Sequence, residues 1–209
     1  MQMDAKKFDT MAREIFAPAY PLIAAQAVER TGISEGVCLD IGCGGGYLGL
    51  ELARTTGLFV RFYDQSREML DIVQGNIASR GLEDRTDILS GSAESIPLPD
   101  GSVNLAVSRG SVFFWDRVKA FREIERVLAP GGMSYIGGGF GSAEVKAEID
   151  RKMEGRSHDG PPWREWVAKR LGPEAPGEFE KELRSAGVED FEIDRSEDTG
   201  LWIIIRKPE

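Results

Sequence analysis

The chain predicts a doubly wound α/β fold with a seven-stranded, mostly parallel sheet and an antiparallel C-terminal hairpin strand. Three observations carry this. An apolar run at 37–39 ends in Asp40, is followed by Gly42, Gly44 and Gly46, and gives way at Tyr47 to helical spacing. Strand and helix patterns then alternate as far as residue 136. Finally, two apolar-rich runs, 191–195 and 201–206, flank Glu197-Asp198-Thr199-Gly200, the mark of a hairpin.

Residues 1–32 read as one or two amphipathic helices broken at Pro18 and Pro21. They either cap the ligand site as a lid or simply pack against the sheet edge. The run at 37–39 is a buried parallel strand, and the glycines after it form a tight turn into a helix over 47–54. Glycine is required there because the backbone must take positive φ and allow a ligand close approach. Residues 58–63 form the second strand, ending in Asp64. Ser66 caps a helix whose apolar face is Met69, Leu70, Val73 and Ile77. Residues 85–89 and 103–108 are the third and fourth strands. Asp116 caps the next helix, with a stripe of Val118, Phe121, Ile124 and Leu128, and Pro130-Gly131-Gly132 ends it. The fifth strand begins at 133–136.

Residues 142–177 break the rhythm with Pro161-Pro162, Pro173, Pro176, two tryptophans and His158, the only histidine. They read as two short helices with loops, an insert between the fifth and sixth strands. Phe179, Leu183 and Ala186 mark a last helix stopped at Gly187. One domain over 1–209 is expected for this length.

Two cofactors compete for the glycine turn. Gly44, Gly46 and Gly49 satisfy G-x-G-x-x-G, the dinucleotide fingerprint. Asp40 to Gly46 satisfy D-x-G-x-G-x-G, which accounts for more residues. Asp64 lies at the end of the second strand, where a nucleotide-binding α/β unit faces the ribose. A carboxylate there accepts both ribose hydroxyls and disfavours a 2′-phosphate.

This D-x-G-x-G-x-G stretch resembles the first motif of class I S-adenosylmethionine-dependent methyltransferases, of the small-molecule branch typified by quinone biosynthesis. Three further stretches are similar to that family in the expected order. Residues 91–102 resemble the loop that edges the adenine, with Ser92 standing where the family commonly has an acid and Glu94 as a substitute. Asn104 likewise replaces an acid common in the fourth strand. Residues 127–132 resemble the turn into the fifth strand, and the terminal hairpin matches the sixth and seventh. The resemblance implies a Rossmann-like methyltransferase fold and S-adenosyl-L-methionine as cofactor, with S-adenosyl-L-homocysteine as product. It implies cofactor contacts at Asp40, Gly42, Cys43, Gly44, Gly46, Asp64, Gln65, Met69, Ser92, Ala93, Glu94, Ser108 and Arg109.

The fourth strand runs out through Ser108-Arg109-Gly110-Ser111-Val112-Phe113-Phe114-Trp115. The Asn/Asp-Pro-Pro-aromatic turn of amino-methylating enzymes is absent here. Arg109 is placed to bind a carboxylate or phosphate, or to pair with a cofactor-side acid. Phe113 and Trp115 are placed to wall an apolar acceptor, while Phe114 equally suits the core. Gly137, Gly138, Gly139 and Gly141 mark either a close approach or a flexible strand exit. No residue stands out as a catalytic base.

Composition narrows the partners. A net charge of −9 and a pI near 4.9 oppose nucleic-acid and anionic-membrane binding. Cys38 and Cys43 are too close along a rigid segment for a disulfide framework, and with one histidine they make no metal site. The N-terminal apolar stretch is interrupted by prolines and its charges are balanced, so a cytoplasmic protein with a small-molecule substrate is expected.

Overall fold

The computed structural model describes residues 4–154, 156 and 162–209. His158 lies outside them. A seven-stranded sheet of order β3-β2-β1-β4-β5-β7-β6 organises the chain. Its strands are β1 (Glu35–Ile41), β2 (Gly57–Asp64), β3 (Thr86–Ser90), β4 (Val103–Arg109), β5 (Leu128–Gly139), β6 (Phe191–Ser196) and β7 (Gly200–Ile205). The first five are mutually parallel, and β7 runs antiparallel between β5 and β6. The chain lays β2 and β3 on one side of β1, then crosses to place β4 on the other. That reversal opens a crevice beyond the carboxyl ends of β1 and β4, where ligands of open α/β sheets bind.

The helices are α1 (Ala5–Met11), α2 (Ala19–Thr31), α3 (Tyr47–Thr55), α4 (Arg67–Ala78), α5 (Arg117–Val127), α6 (Ala143–Glu154), α7 (Trp163–Leu171) and α8 (Ala175–Ala186). A π-helical turn, Ala12–Phe16, joins α1 towards α2. The core forms because the central strands are apolar on both faces: Leu39, Leu105, Ala106, Val107 and Leu201 through Ile205 are all buried. Ser66 and Asp116 cap α4 and α5 as their sequence positions suggest, accepting from Met69 N and Lys119 N.

Several boundaries differ from the sequence reading, each for a physical reason. The N-terminal segment breaks before Pro18 but not at Pro21, which sits in the first turn of α2, where a missing N–H costs nothing. Arg85 belongs to a 3₁₀ turn before β3, its guanidinium held by Thr56 O and Leu58 O. α5 ends at Val127, before Pro130-Gly131-Gly132. Leu128 already opens β5 opposite Val103, and the register then jumps to Leu105 opposite Met133. The Pro-Gly-Gly stretch is therefore an irregularity within β5, with Gly131 N donating to Lys207 O. In the insert, α8 begins at Ala175, with Pro176 in its first turn.

Candidate cofactor and acceptor site

The glycine turn is fixed by β2. Gly42 N and Cys43 N both donate to Tyr63 O, at 2.7 and 3.2 Å. Gly44 N donates to Asp64 Oδ2 at 3.0 Å, and Ser66 N to Asp64 Oδ1 at 2.9 Å. One half-buried carboxylate thus aligns the turn with the start of α4. Each oxygen accepts one backbone bond and keeps a further lone-pair direction for a ligand. Gly42, Gly44 and Gly46 all have positive φ, 65°, 54° and 80°.

The glycines are not equivalent. A Cβ on Gly46 would lie 2.2 Å from Val73 Cγ2, and one on Gly42 2.3 Å from Ser111 Oγ. A Cβ on Gly44 would meet only the Phe8 ring, at 3.5 Å. Gly44 therefore marks the open part of the cradle, and the other two mark chain packing. Gly49 is also explained by packing, since its Cβ would meet Phe62 at 2.5 Å and Asp40 Oδ2 at 2.8 Å. The third glycine of the dinucleotide template lets α3 lie close to the sheet.

Asp40 is buried, only 2 % exposed, and its Oδ2 accepts Gly49 N at 3.0 Å. Gly46, at the N-cap of α3, has no side chain to cap the helix. Asp40 supplies that acceptor from the strand, at the positive end of the helix dipole. Burial pushes its carboxyl up to about 7; the Gly49 N–H opposes this and the Asp64 charge adds to it. Burial likewise raises the thiols of Cys38 and Cys43, both unbridged.

Of the remaining expected cofactor residues, Met69 and Ala93 are buried and Gln65 is exposed at the end of β2. Ser92 Oγ donates to Glu94 Oε2 at 2.6 Å, and Glu94 Oε1 accepts Asp116 N at 2.8 Å. Burial favours the neutral acid at Glu94, but these two bonds outweigh it and hold the carboxyl below its ordinary value. Glu94 Oε1 thus faces the start of α5, while Oε2 lies on Ser92. The loop is braced by Tyr63, whose hydroxyl donates to Ser92 O, and by Arg126, which donates to Ile96 O and Leu98 O. Asn104 lies at the opposite end of the sheet, where its Oδ1 accepts Val37 N.

On the other side of the crevice, Ser108 is buried and its Oγ lies 2.7 Å from Ser111 Oγ, which donates to Ile41 O at 2.9 Å. Ser111 thus ties the β4 tip to the end of β1. The sequence reading gave it no role, although the Ser-x-x-Ser spacing at a strand end was visible. Arg109 Nε donates to Gly139 O at 3.2 Å. Its guanidinium carbon sits 4.2 Å from the Phe16 ring centre and 5.6 Å from that of Tyr20. Phe113 packs against Trp166 and Phe179, and Phe114 is 71 % exposed. The expectation that Phe114 suits the core equally well is corrected: the short 3₁₀ turn at Val112–Phe114 buries Val112 and turns Phe114 out.

The glycines ending β5 serve chain packing. A Cβ on Gly137 would lie 2.0 Å from Leu201 O, and one on Gly139 2.2 Å from Thr199 O. They admit β7 beside β5, which settles the choice between close approach and flexible exit at those two positions.

The N-terminal segment lies over the crevice. Phe8 covers Gly44, Tyr47 OH donates to Asp9 Oδ1 at 2.6 Å, and Tyr20 stacks on Tyr47 with ring centres 5.4 Å apart. None of these contacts was read from the sequence, because they join segments far apart along the chain. A cavity of about 300 Å³ opens beyond the end of β5, lined by Phe140, Lys146, Leu171, Arg195 and Ser196 among others. Another, of about 360 Å³, lies at the opposite sheet edge beside Asn104 and Gly131, away from the glycine turn. Among the described residues no His/Cys/Asp/Glu group could hold a metal ion, and no helix is long and apolar enough to cross a membrane.

Comparison with known proteins agrees with this geometry. Residues 39–136 match the model of a methyltransferase domain family. A solved structure from Methanococcus maripaludis (mmp1179), provisionally classed as an S-adenosyl-L-methionine-dependent methyltransferase, is 40% identical with a TM-score of 0.93, covering 100% of this chain and 98% of that one. The methyltransferase GfsG of Streptomyces halstedii is 34% identical over 126 residues, 59% of this chain and 45% of GfsG. The ubiquinone/menaquinone biosynthesis C-methyltransferase UbiE of Hahella chejuensis is 29% identical over 132 residues, 61% of this chain and 53% of UbiE. The chain spans about half the length of these two curated relatives. With its sheet order, its glycine turn and a relative matched along nearly its whole length, the chain belongs to the class I S-adenosylmethionine-dependent methyltransferase family.

Proposed function

We propose that this protein transfers the methyl group of S-adenosylmethionine to a small-molecule acceptor. The observation that carries this reading is the junction of Gly44 N with Asp64 Oδ2 at the carboxyl ends of β1 and β2. A glycine covered only by the Phe8 ring of the N-terminal segment, and a carboxylate with spare lone pairs, fit the adenosine half of that cofactor. Asp64 accepts the ribose hydroxyls, with Gln65 and Met69 alongside. Ser92, Ala93 and Glu94 edge the adenine, Glu94 through the carboxylate that Ser92 orients. Gly44 lets the cofactor approach the backbone, Gly42 and Gly46 shape the turn on either side of Cys43 by admitting Ser111 and Val73, and Ser108 and Arg109 border the cofactor's amino-acid end. Asp40 acts through α3, by holding Gly49 N.

When bound, the cofactor supplies an electrophilic methyl group. The chain's own task is alignment and exclusion of water. The described part of the N-terminal segment, 4–32, covers the turn as a lid through Phe8, Asp9 and Tyr20. Helices α6 and α7 of the insert and the β4 tip shape the acceptor side, where Phe113 and Trp115 offer apolar contact. A general base is needed only if the nucleophile carries a proton that must leave. The acidic balance disfavours nucleic acid and anionic membrane as partners, and the protein works in the cytoplasm.

The test is transfer of label from methyl-labelled cofactor into fractionated cell extract. Label should appear in small molecules. Its appearance only in nuclease-sensitive material would make the acceptor a nucleic acid and overturn the small-molecule reading, and no transfer at all would leave a cofactor-binding scaffold.

A further inference from the structure

The glycine turn is bordered by acids. Asp40 and Asp64 hold it from the sheet side, and Asp9 Oδ1 lies 2.7 Å from where a Cβ on Gly45 would stand. Such a border suits the positive sulfonium and ammonium of S-adenosylmethionine and repels its carboxylate. Arg13 and Arg109 lie beside segments that border the turn. Arg13 already pairs with Asp9, at 3.5 Å, and points largely into solvent.

Arg109 is half-buried, with Nε bound to Gly139 O and its guanidinium face on the Phe16 ring. Among the described residues it forms no salt bridge. Arg117 and Arg126, whose side chains are 23% and 30% exposed, pair with Glu182 and with Asp100 and Glu123. A guanidinium drawn out of water gains from an opposite charge; Arg85 makes do with two carbonyls, but for Arg109 the aromatic faces and one carbonyl replace only part of the lost hydration. Its position is also fixed: the Ser108–Ser111–Ile41 chain holds the β4 tip against the end of β1, and the Tyr20 ring that flanks Arg109 stacks on Tyr47, the first residue of α3. One roof therefore spans the guanidinium and the turn.

Resting on the cofactor reading above, the geometry points to Arg109 as the counter-ion of the cofactor's methionyl carboxylate. The planar fork suits a carboxylate, and Phe16 and Tyr20 keep its orientation when the N-terminal segment is seated.

The experiment is calorimetry with two probes, S-adenosylhomocysteine and its decarboxylated analogue, which differ only in the carboxylate. Wild-type protein should prefer the former by roughly 10–100-fold. Arg109→Gln should bring the two affinities together by weakening only S-adenosylhomocysteine. Arg109→Lys, which keeps a charge between the same rings, should retain part of the preference. An unchanged preference in a folded Arg109→Gln protein would overturn the assignment. So would equal weakening of both probes, which would make Arg109 a pin for the N-terminal segment. Loss of cooperative melting in both variants leads to the same conclusion. If neither probe binds the wild type, the cofactor reading itself fails, and that result is distinct from the others.

Discussion

On the β1–β2 side of the crevice the site is made of backbone. Amides of Gly42, Cys43, Gly44 and Ser66 are set by Tyr63 O and the Asp64 carboxylate, and Asp40 holds Gly49 N beneath them. On the β4–β5 side it is made of side chains from distant segments: Phe16 and Tyr20 from the N-terminus, Arg109 and Phe113 from the β4 tip, and Trp166 from the insert. The first side has polar groups whose geometry is locked by the paired strands β1 and β2, Gly44 and Asp64 lying 20 residues apart. The second has aromatic faces that adapt to whatever they cover. A common cofactor calls for the first side, and on the second Phe113 and Trp166, beyond Arg109, suit a chain-specific acceptor.

The strongest way to break the first side is Gly46→Val. The new branches would overlap Val73 and Phe62 at a residue with φ of 80°. Destabilisation of roughly 2–5 kcal/mol is expected in urea unfolding. Gly44→Ala should differ, losing cofactor affinity with a smaller stability loss, since its Cβ meets only Phe8. Equal stability losses in the two would erase the distinction between packing glycine and cradle glycine.

That distinction shows what was legible from the sequence and what was not. The strand, the turn, Asp64, the Ser66 and Asp116 caps and the terminal hairpin were readable because each depends on residues close in the chain. The roles within the turn were not. Gly46 and Gly49 answer to Val73 and Phe62, and Asp40 answers to a helix amide rather than to open space. Pro130-Gly131-Gly132 looked like a helix stop but is an irregularity in β5, held by Lys207 from the last residues of the chain. Arg109 was singled out, but its aromatic roof was invisible, because Phe16 and Tyr20 lie some ninety positions away (~90, a separation that periodicity does not reach).

Asp40 gives the next effect. Its carboxyl is raised to about 7 in the folded chain, so between roughly pH 4 and 7 the folded state binds more protons than the unfolded one. Stability contributed by this group is therefore present at low pH and lost as pH rises through that window. The loss should reach about 2–4 kcal/mol. Asp40→Asn keeps an acceptor for Gly49 N and removes the titration. The gap between variant and wild type should open between those limits, and parallel stability curves from pH 4 to 8 would show that Asp40 is not the group responsible.

Asp64→Ala should weaken S-adenosylhomocysteine binding by about 1–3 kcal/mol through lost ribose bonds and a loosened turn. Unchanged affinity in a folded variant would remove Asp64 from the site. On the acceptor side, Phe113→Ala should cost about 3 kcal/mol because it opens a space between Trp166 and Phe179. Phe114→Ala should change stability by no more than about 0.5 kcal/mol, since that ring is exposed. If transfer to the acceptor nonetheless falls in Phe114→Ala, the exposed ring belongs to the acceptor's contact surface.

The account's central claim is that this turn holds S-adenosylmethionine and not a dinucleotide. Calorimetric titration of the wild-type protein with S-adenosylhomocysteine and, separately, with NAD tests it most directly. Saturable one-to-one binding of S-adenosylhomocysteine with no heat from NAD is the expected result, and binding of NAD with none of S-adenosylhomocysteine would contradict it.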